Sequence, residues 1–196
     1  MKKTVRLGLI TDLHQDIMHD GPRRLEAFLK RMHALKPDAL VQLGDFAVPS
    51  PQNKALIAQF NKAHSLALHV LGNHDTDGGY TKQQTMDAWG MQQRYYAHEL
   101  SGLRLLVLDG NDKGSPTHRG GYPIYVGPEQ VEWLRAQLKG ATEPVLVLSH
   151  QPLAGTGAVD NAIEIQQVLS EYADKVLLAI NGHTHIDDIV GTCQYK

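Results

Sequence analysis

Five apolar runs, Val5 to Thr11, Ala39 to Leu43, Leu66 to Leu71, Val145 to Leu148 and Val176 to Ile180, each give way within a few residues to aspartate, asparagine or histidine. Short runs of this kind, without polar alternation, predict strands buried on both faces. Such strands belong to sheets covered by helices, whose ligands gather beyond the carboxyl ends of the strands. The polar clusters fall at those ends: Asp12-Leu-His14, Gly44-Asp45, Gly72-Asn73-His74-Asp75, Ser149-His150 and Gly182-His183-Thr-His185.

Helical spacing appears between the strands. Leu25, Phe28, Leu29 and Met32 share one face of a segment with Pro22 near its start and Pro37 after its end. Val131, Leu134 and Leu138 form a stripe on a helix from about Pro128 to Lys139, with Gly140 placed to stop it. Ile165, Val168, Leu169 and Tyr172 mark a third. These stripes are core contacts, because a helix lying on a sheet must bury one face. Tyr95 to Leu100 and Leu103 to Leu108, joined at Ser101-Gly102, predict a hairpin. Asp109 to Tyr122, with four glycines and one proline, predicts a long loop of the sort that lines sites.

Composition sets the outer limits. A chain of 196 residues with 42% apolar content fits one domain, 1–196, with a sizeable core. A formal charge of -2 gives no electrostatic footprint for nucleic acid or an anionic membrane. The single cysteine, Cys193, rules out an internal disulfide. Lys2 and Lys3 precede an apolar run that Arg6 breaks, so no signal peptide is predicted. No run reaches the roughly 20 apolar residues that span a bilayer. A cytoplasmic protein is the simplest expectation.

Carboxylate, imidazole and amide donors together suit divalent first-row metals, and one carboxylate can bridge two ions about 3.5 to 4 Å apart. Asp45 is the candidate bridge, with a solvated turn aspartate as the alternative. Asp12 and His14, one residue apart, project to the same side if that segment is extended; His183 and His185 repeat the spacing. Asn73 alone is a turn residue, but it stands beside His74 and Asp75. Five histidines, His14, His74, His150, His183 and His185, fall at strand ends. The other six, His19, His33, His64, His69, His98 and His118, lack such partners and read as structural or solvated.

In this order, Asp-x-His, Gly-Asp, Gly-Asn-His-Asp, a lone His and Gly-His-x-His, the blocks resemble the signature of the calcineurin-like metallophosphoesterases from about Val5 to His185. The resemblance implies a four-layer αββα sandwich of two mixed sheets flanked by helices. It places Asp12, His14, Asp45 and His185 on one divalent metal, manganese, iron or zinc, and Asp45, Asn73, His150 and His183 on a second. It implies in-line attack on phosphorus by a hydroxide the metals share, with His74 protonating the leaving oxygen or stabilising the transition state and Asp75 orienting its ring.

Departures narrow the branch. Purple acid phosphatases carry a tyrosine three residues after the bridging aspartate, where this chain has Val48. Serine/threonine protein phosphatases continue Gly-Asp-x-Val-Asp-Arg-Gly and end the third block in glutamate; here Gly44-Asp45 leads to Phe46-Ala47-Val48 and the block ends in Asp75. The resemblance therefore points to the bacterial branch of cyclic-nucleotide phosphodiesterases and small-molecule phosphoesterases, with a substrate that is probed by the loop residues Asn111, Lys113, His118 and Arg119 unless these are simply solvated. A protein-binding scaffold is the alternative class, disfavoured by the intact ligand set. After His185 only Ile186 to Lys196 remains, room for about one further strand where the family generally has more, so a truncated end or a small second sheet, with an edge open to association, is expected.

Overall fold

The computed structural model describes residues 4–191. Its core is two sheets face to face. In the first, β1 (Leu7–Ile10), β2 (Ala39–Gln42) and β3 (Ala67–His69) lie in that order. In the second, β4 (Tyr96–Leu100), β5 (Leu103–Val107), β6 (Val145–Leu148) and β7 (Val176–Ile180) lie side by side in sequence order. Helices α1 (Gly21–Leu35), α2 (Lys54–Lys62) and α3 (Lys82–Trp89) cover the first sheet, and α4 (Pro128–Gly140) and α5 (Ala162–Glu171) the second.

Strand alternation builds the layers. In β2, Val41 faces the second sheet, where it meets Leu105, Val107 and Leu146, while Leu40 turns outward to Leu25 of α1 and Phe60 of α2. In the second sheet, Leu106 and Val147 point outward to Leu134, Leu138, Ile165 and Val168. Every one of these side chains is buried, each contributing about 1.5–3 kcal/mol of transfer free energy. The four-layer αββα arrangement expected from the blocks is present. The mixing of strand directions lies in the second sheet, where β4 runs antiparallel to β5 and the rest are parallel; the first is parallel throughout its three strands.

Local signals account for the element ends. Pro22 opens α1, and Lys36, left-handed at φ 48°, closes it by donating its N–H to Met32 O before Pro37. Ser101 and Gly102, both at positive φ, make the tight turn of the β4–β5 hairpin. The strands are shorter than their apolar runs: β1 lacks Val5 and Thr11, and β3 lacks Leu66, Val70 and Leu71. Leu66 and Val70 still bond to β2, Leu66 O accepting from Leu40 N–H and Val70 N–H donating to Gln42 O, both at 3.0 Å. Helices α2 and α3 were not anticipated. Thr81-Lys-Gln-Gln84 is a capping box with both reciprocal contacts made, and it is the signal for α3.

Beyond β7 no strand forms among the described residues, and Ile186, Ile189 and Val190 are exposed. Cys193 and the last residues of the further strand expected there lie outside the described residues. The edge strand β7 leaves Leu177 and Leu178 exposed. No helix among the described residues is long and apolar enough to cross a membrane.

Candidate metal centre

The five clusters meet at the carboxyl ends of β1, β2, β3, β6 and β7, and backbone hydrogen bonds hold their loops together. Asp12 N–H donates to Gly44 O at 3.1 Å and His14 N–H to Asp45 O at 2.8 Å, tying the turn after β1 to the turn after β2. His183 N–H reaches the Asp12 carboxylate at 3.0 Å, and Gly182 N–H donates to His150 O at 3.0 Å, which brings in the ends of β7 and β6.

Seven described non-glycine residues have positive φ, and five of them are Asp12, His14, Asp45, His183 and His185. Left-handed backbone costs an ordinary side chain free energy and clusters where a site demands it. This corrects the expectation that Asp12 with His14, and His183 with His185, converge through an extended segment. They converge because each member has left-handed backbone, with Asp12, His14 and His183 hydrogen-bonded through their N–H groups to neighbouring loops. Close approach also explains two glycines: a side chain on Gly72 would overlap Asp45, and one on Gly182 would overlap Thr11 and Asp12.

The donor atoms fall into two nests. Asp12, His14 and His185 form one, and Asp45, His150 and His183 the other, each with its ligand atoms within 4.8 Å of one another. The Asp45 carboxylate lies between them, with Oδ2 3.6 Å from His14 Nε2 and 3.1 Å from His150 Nε2. In each nest two ring nitrogens crowd together, His14 Nε2 with His185 Nε2 at 3.1 Å and His183 Nδ1 with His150 Nε2 at 3.2 Å. Nitrogens so close to one another and to carboxylates suit a shared cation. Buried His150 donates Nδ1–H to Leu43 O at 2.9 Å, which turns Nε2 toward Asp45. Buried Asn73 leaves its Oδ1 without a hydrogen-bond partner among the described residues, as does His14 its Nδ1. An orphaned amide oxygen beside carboxylate and imidazole fits the donor set of a divalent ion.

Electrostatics follow from burial and pairing. Burial pushes the Asp45 carboxyl up, but its hydrogen bond to His150 and that ring's charge carry it below the usual carboxylate range. The same pair raises His150 against its own burial. Burial lowers His14, prevailing over Asp45 and Asp12, and it lowers His183 together with His150.

His74 stands at the rim with its ring 5.2 Å from that of His14. Its N–H donates to Asp45 Oδ1 at 2.9 Å, and Nδ1 faces Asp77 Oδ2 at 2.7 Å and the Tyr122 hydroxyl at 3.1 Å. The partner of the ring is thus Asp77, not Asp75. Asp75 is fully buried, and its oxygens accept the N–H groups of Gly72, Asp45 and Phe46 at 2.7 to 2.9 Å. Burial and the nearby Asp45 charge push its carboxyl up to about 7 against these donors. Asp75 therefore shapes the loops, and the expectation that it orients His74 is corrected: the carboxylate is spent on three backbone donors. Asp77 and Tyr122 were missed. The second aspartate of His74-Asp-Thr-Asp77 was a readable signal; Tyr122 had none.

Of the loop candidates, Asn111 is buried and committed to Leu71 O, Asp109 and Gln151, so it serves structure. Lys113, His118 and Arg119 are exposed and make no side-chain contact with the nests. A cleft of about 20 Å³ beside the nests is lined by His14, Asp45 and His74 together with Ile17, Phe46 and Val48.

Two sheets between helices, with paired carboxylate and imidazole nests at the strand ends, define a metal-dependent phosphoester hydrolase. A model of the calcineurin-like phosphoesterase family matches residues 5–187, and the chain belongs to that family. Among solved structures it is similar to a dimetal phosphatase from Danio rerio, with a TM-score of 0.69 and 17% identity over 92% of this chain and 82% of that one. It is also similar to a protein from Thermus thermophilus, with a TM-score of 0.60 and 16% identity over 91% and 81%. At these identities the likeness is one of fold. No curated protein matches the chain.

Proposed function

We propose that the chain is one metallophosphoesterase domain that holds two divalent ions and hydrolyses a phosphomonoester or phosphodiester bond of a small, nucleotide-like molecule. Asp12, His14, Asp45 and His185 hold the first ion; Asp45, Asn73, His150 and His183 hold the second. The observation that carries this reading is the Asp45 carboxylate set between the nests, at 3.6 Å from His14 and 3.1 Å from His150. Manganese, iron or zinc there supplies Lewis acidity toward the phosphoryl oxygens and a water acidic enough to ionise near neutral pH.

The chain's own groups do the rest. His74, carrying protons on both ring nitrogens with Nδ1–H on Asp77, gives its Nε2 proton to the leaving oxygen as the ester P–O bond breaks and the water oxygen bonds phosphorus. Ile17 and Val48 offer an apolar rim beside the donors, which supports a leaving group with an apolar surface such as a nucleoside. The test is a panel of cyclic nucleotides, nucleotide diphosphate esters and simple monoesters with each metal in turn. Turnover of a nucleotide ester that depends on added metal is expected. Turnover only of protein phosphoester substrates, or none with any metal, contradicts the proposal.

A further inference from the structure

The segment between β5 and α4 returns over the metal centre, and two ties hold it. Asn111 and Tyr125 pair as a short bridge, with Asp112 N–H donating to Tyr125 O at 2.9 Å and Tyr125 N–H to Gly110 O at 2.7 Å. Further along, Ser115 Oγ donates to the Asp160 carboxylate and Asp160 N–H donates to Ile124 O at 2.6 Å. Between these ties Gly120 and Gly121 take φ of 99° and 80°, a path open to glycine, and deliver Tyr122 to His74. The two rings lie 4.7 Å apart at 58°. Tyr122 is 41% exposed, so burial alone does not hold it there.

We propose that Tyr122 is a positioning residue for proton transfer, acting on His74 through Asp77; this rests on the phosphoester hydrolysis proposed above. Hydrogens assigned from the network close a ring of three contacts. The Tyr122 hydroxyl donates to Asp77 Oδ1 at 2.8 Å, Asp77 Oδ2 accepts His74 Nδ1–H at 2.7 Å, and the phenol oxygen lies 3.1 Å from the same nitrogen. Burial and the Asp77 carboxylate push the phenol up to about 12, so the hydroxyl stays a donor. The ring of contacts fixes the imidazole's rotation and keeps Nδ1–H on Asp77, so that in the doubly protonated ring Nε2–H is the proton left for transfer. Asp77 needs this help because it sits on a turn followed by Gly78 and Gly79, both at positive φ. Without the hydroxyl, one Asp77 oxygen loses its donor and the imidazole gains rotational freedom. Proton transfer then loses alignment in the step where His74 Nε2–H passes to the leaving oxygen.

Leaving-group dependence tests this. The full chain with Mn(II) and its Tyr122→Phe and Asp77→Asn variants are compared on two esters of the same phosphoryl group, one leaving as p-nitrophenol and one as an alkyl alcohol. The nitrophenolate departs with little help from an acid; the alkoxide does not. Tyr122→Phe should lower kcat on the alkyl ester about tenfold, change kcat on the nitrophenyl ester less than about twofold, and leave both KM values unchanged. Asp77→Asn should deepen the same pattern. Equal losses on both esters mark a merely structural tyrosine and overturn the proposal, as does an unchanged alkyl rate in Tyr122→Phe. If the unaltered chain hydrolyses neither ester with manganese, iron or zinc, the proposed function falls first and the positioning role with it.

Discussion

Asp75 and Asp77 are two residues apart and have opposite tasks. Asp75 gathers three buried N–H groups from two loops, so Asp75→Ala strands them; a loss of about 3 kcal/mol in urea denaturation is expected. Asp77 is partly exposed at the rim, and Asp77→Ala should leave stability within about 0.5 kcal/mol while lowering kcat. Finding the stability loss at Asp77 and none at Asp75 would reverse these assignments. Six of the seven candidate ligands, all but Asn73, fall in the two nests, and they were legible in the sequence because they follow apolar runs whose ends come together. What was not legible is how they converge. The left-handed turns at Asp12, His14 and Asp45 depend on hydrogen bonds between loops far apart in the chain, and the Tyr122 contact depends on a loop fold with no period to read.

At the scale of elements, α2 and α3 clamp β3 through a buried aromatic group. Phe46 and Phe60 lie 5.3 Å apart, and His69 stacks on Trp89 at 5.3 Å. Phe60→Ala should cost about 3–5 kcal/mol, measured by thermal or urea unfolding, because a fully buried ring between helix and sheet leaves a void. His69, read from sequence as structural or solvated, is structural: its ring nitrogens meet Asn61 Oδ1 at 2.8 Å and Gln42 Nε2 at 3.2 Å. Burial lowers it to about 4 from 6.5. The folded chain keeps this ring neutral where the unfolded chain takes up a proton, so the contribution is fully present above about pH 6.5 and is lost as pH falls toward about 4. In chelator, stability should fall by up to about 1.4 kcal/mol per pH unit from this group across that window. His69→Gln should flatten the slope by about one proton; an unchanged slope refutes the assignment. The long strands, the hairpin and the three longest helices were visible in sequence as apolar period. Helices α2 and α3 were hidden because they are short, nine and eight residues, and the buried face of α3 is filled partly by Thr85 and Trp89 rather than by a leucine stripe.

At the scale of the molecule, the two sheets do one thing for function: their strands β1, β2, β3, β6 and β7 end at a common edge, so loops far apart in sequence share a site of a few ångströms. Expected from the order of the blocks, that convergence is the fold's contribution, and the helices hold it by burying both outer faces. Edge strand β7 is thinly covered, with Leu177 and Leu178 exposed. The central claim is that the convergence builds two metal sites sharing Asp45. It is tested most directly by titrating the chelator-stripped chain with Mn(II) and counting the ions bound per chain at saturation. Two per chain are predicted; one or none would contradict the account.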